Sequence, residues 1–198
     1  MLYRLARFLL RVLLRISFRW EIRGARNVPA EGPVILAGNH FAWWDPPVMG
    51  CSVDRPVSFM TKEEYFHTPV MGPLVRRVGA FPVKRHTADR AALRQALDIL
   101  RTGGVLGIFP EGTRSKSGQL QRPEPGLAWI AYKSGAPVVP LAIVSTYRFR
   151  APLRVVIGEP VRLWEVPAKR ADAAALEEAS RRLMTIIARL KSQAEEEG

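Results

Sequence analysis

Several residue types are scarce in this chain of 198 residues, and each shortage excludes something. One cysteine, Cys51, rules out an internal disulfide and fits a reducing compartment. Its position in an apolar stretch reads as a core thiol. The three histidines, His40, His67 and His86, show no ligand spacing, so no metal site is expected. Acids are few: eighteen Asp and Glu against thirty Lys and Arg leave a formal charge of +12, which points to anionic partners. The GxxxxGK[ST] spacing of a nucleotide P-loop is missing. Repeats and low-complexity linkers are absent, and 47% hydrophobic residues suffice for one domain with a full core.

Long apolar runs are also missing from the N-terminal segment, "MLYRLARFLLRVLLRISFRW". A bilayer-spanning helix needs roughly 20 such residues and a secretion-signal core about 7–15, so the segment is expected to do neither. It is nonetheless rich in arginine. Residues 1–26 hold seven arginines and one acid, Glu21, which is half of the net charge. Arg4, Arg7, Arg11 and Arg15 fall in one stripe on a helix, with Leu2, Leu5, Leu9, Val12, Leu13, Ile16 and Trp20 opposite. That pattern predicts an amphipathic helix over 1–23 lying in a membrane interface, ahead of a single domain at 24–198. Each arginine beside an anionic surface contributes about 1 kcal/mol. The competing reading is a helix packed on its own domain with solvated arginines. Nucleic-acid binding by charge, which predicts steep salt dependence, is not expected, because no binding motif appears and the arginines alternate with bulky aliphatics.

Downstream, short apolar runs alternate with helical stretches. Strands are expected at 34–37, 56–60, 79–83, 104–109, 137–144 and 153–157, several apolar throughout, as strands covered on both faces are. Helices are expected at 47–52, 62–66, 69–77, 87–102, 124–134 and 172–194. The fold class is α/β: a mixed, largely parallel sheet flanked by helices.

Two loops after strands carry the chemistry-bearing residues. In "AGNHFAWWDPP" (37–47), imidazole is the side chain most easily poised near neutral pH, and a nearby carboxylate fixes its tautomer. Four intervening residues allow His40 and Asp45 to meet. Asp45 also suits a helix N-cap ahead of Pro46 and Pro47. Trp43 and Trp44 either border a substrate path or pack between strand and helix. The second loop, "IFPEGTRSKSG" (108–118), offers backbone N–H groups, hydroxyls and cations that suit a phosphate. Lys84 and Arg85, ending another strand, are placed to join Arg114 around one anion.

Together these segments resemble the glycerolipid acyltransferase family, specifically the 1-acylglycerol-3-phosphate acyltransferases. Asn39, His40 and Asp45 match an NHx4D block. Lys62, Pro69, Gly72, Gly79 and Arg85 match a second block, Phe109 to Ser115 a third, and "VVPLAI" around Pro140 a fourth. The resemblance covers about residues 30–145. It implies acyl transfer from a thioester, acyl-CoA or acyl carrier protein, to the sn-2 hydroxyl of a lysophospholipid, 1-acylglycerol 3-phosphate, with no other cofactor. His40 would be the base and Asp45 its orienting partner. Arg85, Glu111, Gly112, Thr113 and Arg114 would hold the glycerol phosphate, with Asn39, Lys62, Lys84 and Ser115 as further candidates. It also implies a peripheral, monotopic protein on the cytoplasmic face of the cell membrane, where thioester donors are found.

The chain departs from the family pattern at Ala42, where a serine or threonine is usual, and at "QRPEPG" (121–126). Both departures bear on the acceptor head group. Alternatives are acylation of glycerol 3-phosphate or another lysolipid, and a membrane-docked protein without activity.

Overall fold

A computed structural model describes residues 2–84, 89–164 and 172–196. Arg85, expected in the anion site, and His86 lie outside the described residues.

Seven strands form one sheet in the order β1-β7-β6-β2-β5-β3-β4. Five of them, β6 (Val138–Ser145), β2 (Val34–Gly38), β5 (Val105–Ile108), β3 (Val57–Lys62) and β4 (Phe81–Val83), run parallel. Their C-terminal ends therefore share one edge, where sites in open α/β sheets collect. β7 (Pro152–Ile157) turns back antiparallel to β6, and β1 (Arg19–Arg23) pairs parallel to β7 at the sheet margin.

The central strands are apolar on both faces because both faces are covered. In β2, Ile35 and Ala37 pack with α4 (Arg90–Arg101), α5 (Gly126–Ser134) and α6 (Ala173–Glu196) through residues such as Leu100, Ile130 and Leu183. Val34 and Leu36 meet the opposite layer, built by α1 (Leu2–Ser17), the Phe18 that follows it and α2 (Asp45–Ser52), through Leu14, Phe18, Val48 and Met49. The short α3 (Met71–Arg77) follows a 3₁₀ turn at Glu63–His67. The strands and helices expected downstream of residue 24 are present within a few residues of their expected bounds, that at 62–66 as a 3₁₀ turn, while residues 87 and 88 at the expected start of α4 lie outside the described residues.

The N-terminal segment differs from its expectation in two ways. The helix stops at Ser17, and residues 19–23 form an edge strand rather than continuing it to residue 23. The Arg19 N–H donates to the Ala151 carbonyl (3.0 Å) and starts that pairing. Nor do the four arginines face one way. Arg7 and Arg11 turn inward, where both guanidinium groups donate to the Val53 carbonyl (3.2 and 2.9 Å). Arg7 also donates to the carbonyl of Asp54, and Arg11 to that of Cys51 (2.8 Å).

These carbonyls belong to the C-terminal end of α2, which has no intrahelical donors for them, so cations there satisfy both hydrogen bonding and the helix dipole. Arg4 and Arg15 alone of the four are exposed, which halves the expected ionic contribution to about 2 kcal/mol. The apolar stripe points outward: Leu5, Phe8, Leu9, Val12, Leu13 and Ile16 are each 39–62% exposed. Among the described residues no helix is long and apolar enough to cross a membrane.

Candidate active site

Gly38 ends β2, and the chain turns through residues 39–44 into α2. Asn39 fastens this turn: its amide donates to the Ile143 carbonyl (2.9 Å) and accepts from the Ile143 N–H (2.8 Å). With both ends of the amide engaged on β6, Asn39 serves the sheet and is not turned to a ligand. His40 follows, only 9% exposed, and its Nδ1 lies 2.8 Å from Asp45 Oδ2.

Asp45 is fully buried. Its Oδ2 also accepts the N–H groups of Phe41 (2.6 Å) and Ala42 (2.7 Å), and its Oδ1 accepts the Tyr147 hydroxyl (2.7 Å). Four bonds thus reach the carboxylate, three on Oδ2 and one on Oδ1. The expected N-cap bond is not made. Asp45 lies in the first turn of α2, where its charge suits the helix dipole, but the carboxylate reaches back to the preceding turn. Burial, and then the adjoining carboxylate, push the Tyr147 hydroxyl well above the ordinary phenol range, so it keeps its proton and donates.

With Nδ1–H donating to Asp45, the tautomer leaves the Nε2 lone pair to act as base. The ring is held from the side as well: Phe109 stacks on it at 4.1 Å and 20°, and Phe59 stacks on Phe109 at 6.3 Å. Phe59 fits because β5 has a glycine beside it. A Cβ on Gly107 would sit 2.3 Å from the Phe59 ring.

The second loop is bolted to the first by backbone groups. Glu111, 4% exposed, accepts the His40 N–H on Oε1 (2.9 Å) and the Gln121 N–H on Oε2 (3.0 Å). The Ser115 N–H donates to the His40 carbonyl (2.8 Å). Gly112 takes the left-handed conformation (φ 66°) that turns the loop, which a side chain would strain. Glu111 and Ser115, both expected near the substrate phosphate, hold this loop against His40. Gly112 and Thr113 are exposed, and the half-buried Arg114 guanidinium lies 4.0 Å over the Trp43 ring.

These residues line a groove of about 1480 Å³. His40, Glu111, Gly112, Thr113 and Arg114 stand along it, and so do Lys62 and Lys84 from the ends of β3 and β4. Lys62 is paired with Glu64 (2.9 Å), and Lys84 is 4.0 Å from Glu63. Asp89, whose carboxyl the Lys84 and Ala92 N–H groups hold below the usual carboxylate range, ties Lys84 to the start of α4. Much of the remaining lining is apolar, including Leu74, Val75, Leu93, Ile108 and Trp129. Trp43 and Trp44, 57% and 38% exposed, line the groove, and Trp44 also packs edge-on against Phe18. The groove runs on to Leu9 and Leu13 of α1.

A base backed by a buried carboxylate and an apolar groove with cations in its lining suit proton removal from a hydroxyl on an amphiphilic molecule. A family model described as Acyltransferase matches residues 19–144, more than half of the chain. The chain belongs to the acyltransferase family. The match begins at Arg19, the first residue of β1, so α1 stands outside it.

The chain is 27% identical over 192 residues to the 1-acyl-sn-glycerol-3-phosphate acyltransferase of Bacillus subtilis (strain 168), covering 92% of this chain and 95% of that protein. It is 32% identical over 125 residues to the lyso-ornithine lipid O-acyltransferase of Pseudomonas aeruginosa, covering 63% of this chain and 47% of that protein. Among solved structures, the 1-acyl-sn-glycerophosphate acyltransferase PlsC of Thermotoga maritima superposes with a TM-score of 0.68 at 25% identity, covering 98% of this chain and 81% of that one.

Within this family member, sequence reasoning missed two contributors to the site, Tyr147 and Phe109's stacking on His40. Tyr147 lies 102 positions from Asp45 and belongs to no motif. The one signal for it was its place just past the end of β6, at the sheet edge where β2 and β5 also end.

Proposed function

We propose that this acyltransferase moves a fatty acyl group from a thioester, acyl-CoA or acyl carrier protein, to the sn-2 hydroxyl of 1-acylglycerol 3-phosphate, giving phosphatidic acid. The observation that carries this reading is the buried His40–Asp45 pair at the wall of an apolar groove with Arg114 beside it. His40 Nε2 takes the proton of the acceptor hydroxyl as its oxygen attacks the thioester carbonyl carbon. The new C–O bond forms, the C–S bond breaks, and the imidazolium returns the proton to the departing thiolate. Asp45 stabilises that imidazolium and fixes the ring. No protein nucleophile is needed, because the thioester is already activated and the acceptor supplies the hydroxyl. A base placed in this way is typically worth about 10²–10⁴ in rate.

Arg114, with Gly112 and Thr113 beside it, takes the acceptor phosphate. Stacking on Trp43 keeps the guanidinium plane in place, which suits a bidentate grip on phosphate oxygens. Lys62 and Lys84 add positive charge at neighbouring strand ends, and Arg85 follows Lys84 in the chain. The apolar stripe of α1 lies in the interface of the cytoplasmic leaflet of the cell membrane, so the groove opens where a lysophospholipid resides.

The test is acyl transfer by the purified protein on vesicles, offering a thioester donor with lysophosphatidic acid, glycerol 3-phosphate or lyso-ornithine lipid, beside His40→Ala. Turnover favouring lysophosphatidic acid and collapsing in the variant supports the whole reading. Preference for another acceptor replaces the head group but keeps the chemistry. Equal turnover in the variant sinks His40 as base, and an inactive wild type with every pair sinks the reaction.

A further inference from the structure

The connection between β6 and β7 (146–151, TYRFRA) ends in Phe149, which is 76% exposed and flanked by exposed Arg148 and Arg150. It contains no acid. Several bonds fix it to the junction of α1 and β1. The Arg150 N–H donates to the Ser17 carbonyl (2.6 Å), its side chain reaches the Ile16 carbonyl (3.5 Å), and the Arg19 N–H donates to the Ala151 carbonyl (3.0 Å).

Tyr147 and Arg150 both hold positive φ, 52° and 62°. Non-glycine residues keep that conformation only where surrounding contacts over-determine it, and such positions cluster at functional sites. The tip is thus a held feature that presents a large aromatic ring to solvent at the place where the exposed stripe of α1 ends in Ile16. Arg148 and Arg150 beside it are exposed, and so are Arg19, whose N–H bonds Ala151, and Arg15, one residue before Ile16.

We infer that the Arg148-Phe149-Arg150 tip is a second point of contact with an anionic phospholipid bilayer, inserting Phe149 while the flanking guanidinium groups meet lipid phosphates. This rests on the reading of α1 as an interfacial helix. An aromatic ring between cations matches the boundary between acyl chains and anionic headgroups, and the flanking arginines, with no acid in the loop, fix the sign of the surface. Two attachment points, a helix along the surface and a tip at its end, restrict rotation about the helix axis.

The experiment places an environment-sensitive dye on single cysteines introduced by Leu9→Cys, Phe149→Cys or Asp98→Cys, with depth-resolved quenching by lipid-borne quenchers in phosphatidylserine-containing vesicles. Cys51 does not compete for the dye: it is 2% exposed, and burial pushes its thiol up to about 11. Dye at 149 and at 9 should be quenched, while dye at 98, on the opposite layer of the fold, should not.

Phe149→Ala should weaken partitioning about tenfold. Arg148→Gln should weaken it about fivefold on anionic vesicles and leave binding to neutral vesicles unchanged. If dye at 9 is quenched while dye at 149 behaves like dye at 98, and Phe149→Ala binds like the wild type, the tip is not a contact though α1 is. If neither 9 nor 149 senses lipid, the interfacial reading itself falls, and the tip falls with it.

Discussion

The loop after β2 and the loop after β5 face one groove, yet they use their polar groups in opposite ways. In the first, His40 Nδ1, both Asp45 oxygens and both ends of the Asn39 amide are bonded to the protein. In the second, Glu111 and Ser115 are tied down, while Gly112 and Thr113 are exposed and Arg114 is only half-buried over Trp43. On the proposed mechanism the difference separates two tasks. A base must be held in one tautomer and one orientation, so its surroundings are saturated. An anion-binding rim must exchange water for phosphate oxygens, so its donors stay accessible.

Substitutions can break or sharpen that contrast. The largest effect is expected in the saturated loop: His40→Ala should lower kcat about 10²–10⁴-fold with little change in acceptor KM, read by steady-state kinetics on vesicles. Arg114→Ala should show the opposite split, raising KM for a phosphorylated acceptor about 10- to 100-fold while kcat holds, since hydrogen bonds to charged groups are worth about 1.5–3 kcal/mol. An acceptor without phosphate should be little affected by that change. If Arg114→Ala instead lowers kcat alone, the division of labour between the loops is wrong.

Tyr147→Phe keeps the ring and removes the hydroxyl that Asp45 accepts. It should lower kcat about tenfold at unchanged KM, with the fold intact by circular dichroism. The smallest effect belongs to Trp43→Leu. It removes the surface on which Arg114 rests and should raise KM for the phosphorylated acceptor about threefold, in line with a cation–π contact of about 0.5–1 kcal/mol.

Legibility in the sequence obeys a physical rule. Strands β2, β5 and β6 were readable because burial on both faces makes them apolar throughout, and α6 because its buried residues, Leu183 and Ile187 among them, keep a helical period. The His40–Asp45 pair was readable because both partners lie in one short loop. β1 was not: "RWEIR" is an edge strand with few buried positions, and the apolar period of α1 runs into Trp20 without a glycine or proline to mark the break. Nor could periodicity say which arginines of α1 face inward, because that is decided by the C-terminal carbonyls of α2, some forty residues away. Tyr147 was hidden for the same reason, its partner being brought near only by the parallel alignment of β6 with β2.

The grip of Arg7 and Arg11 on the end of α2 bears on how this enzyme can be re-engineered. An anchor that merely floated beside the domain could be trimmed away or exchanged for another family's leader. Here α1, the proposed anchor, holds the far end of the very helix whose first turn carries Asp45, and it contributes Leu14 and, with the residue that follows it, Phe18 to the core. A soluble version is therefore better sought by repainting the outer stripe, Leu5, Phe8, Leu9, Val12 and Ile16, with polar side chains than by shortening the chain. The segment is portable only together with its socket.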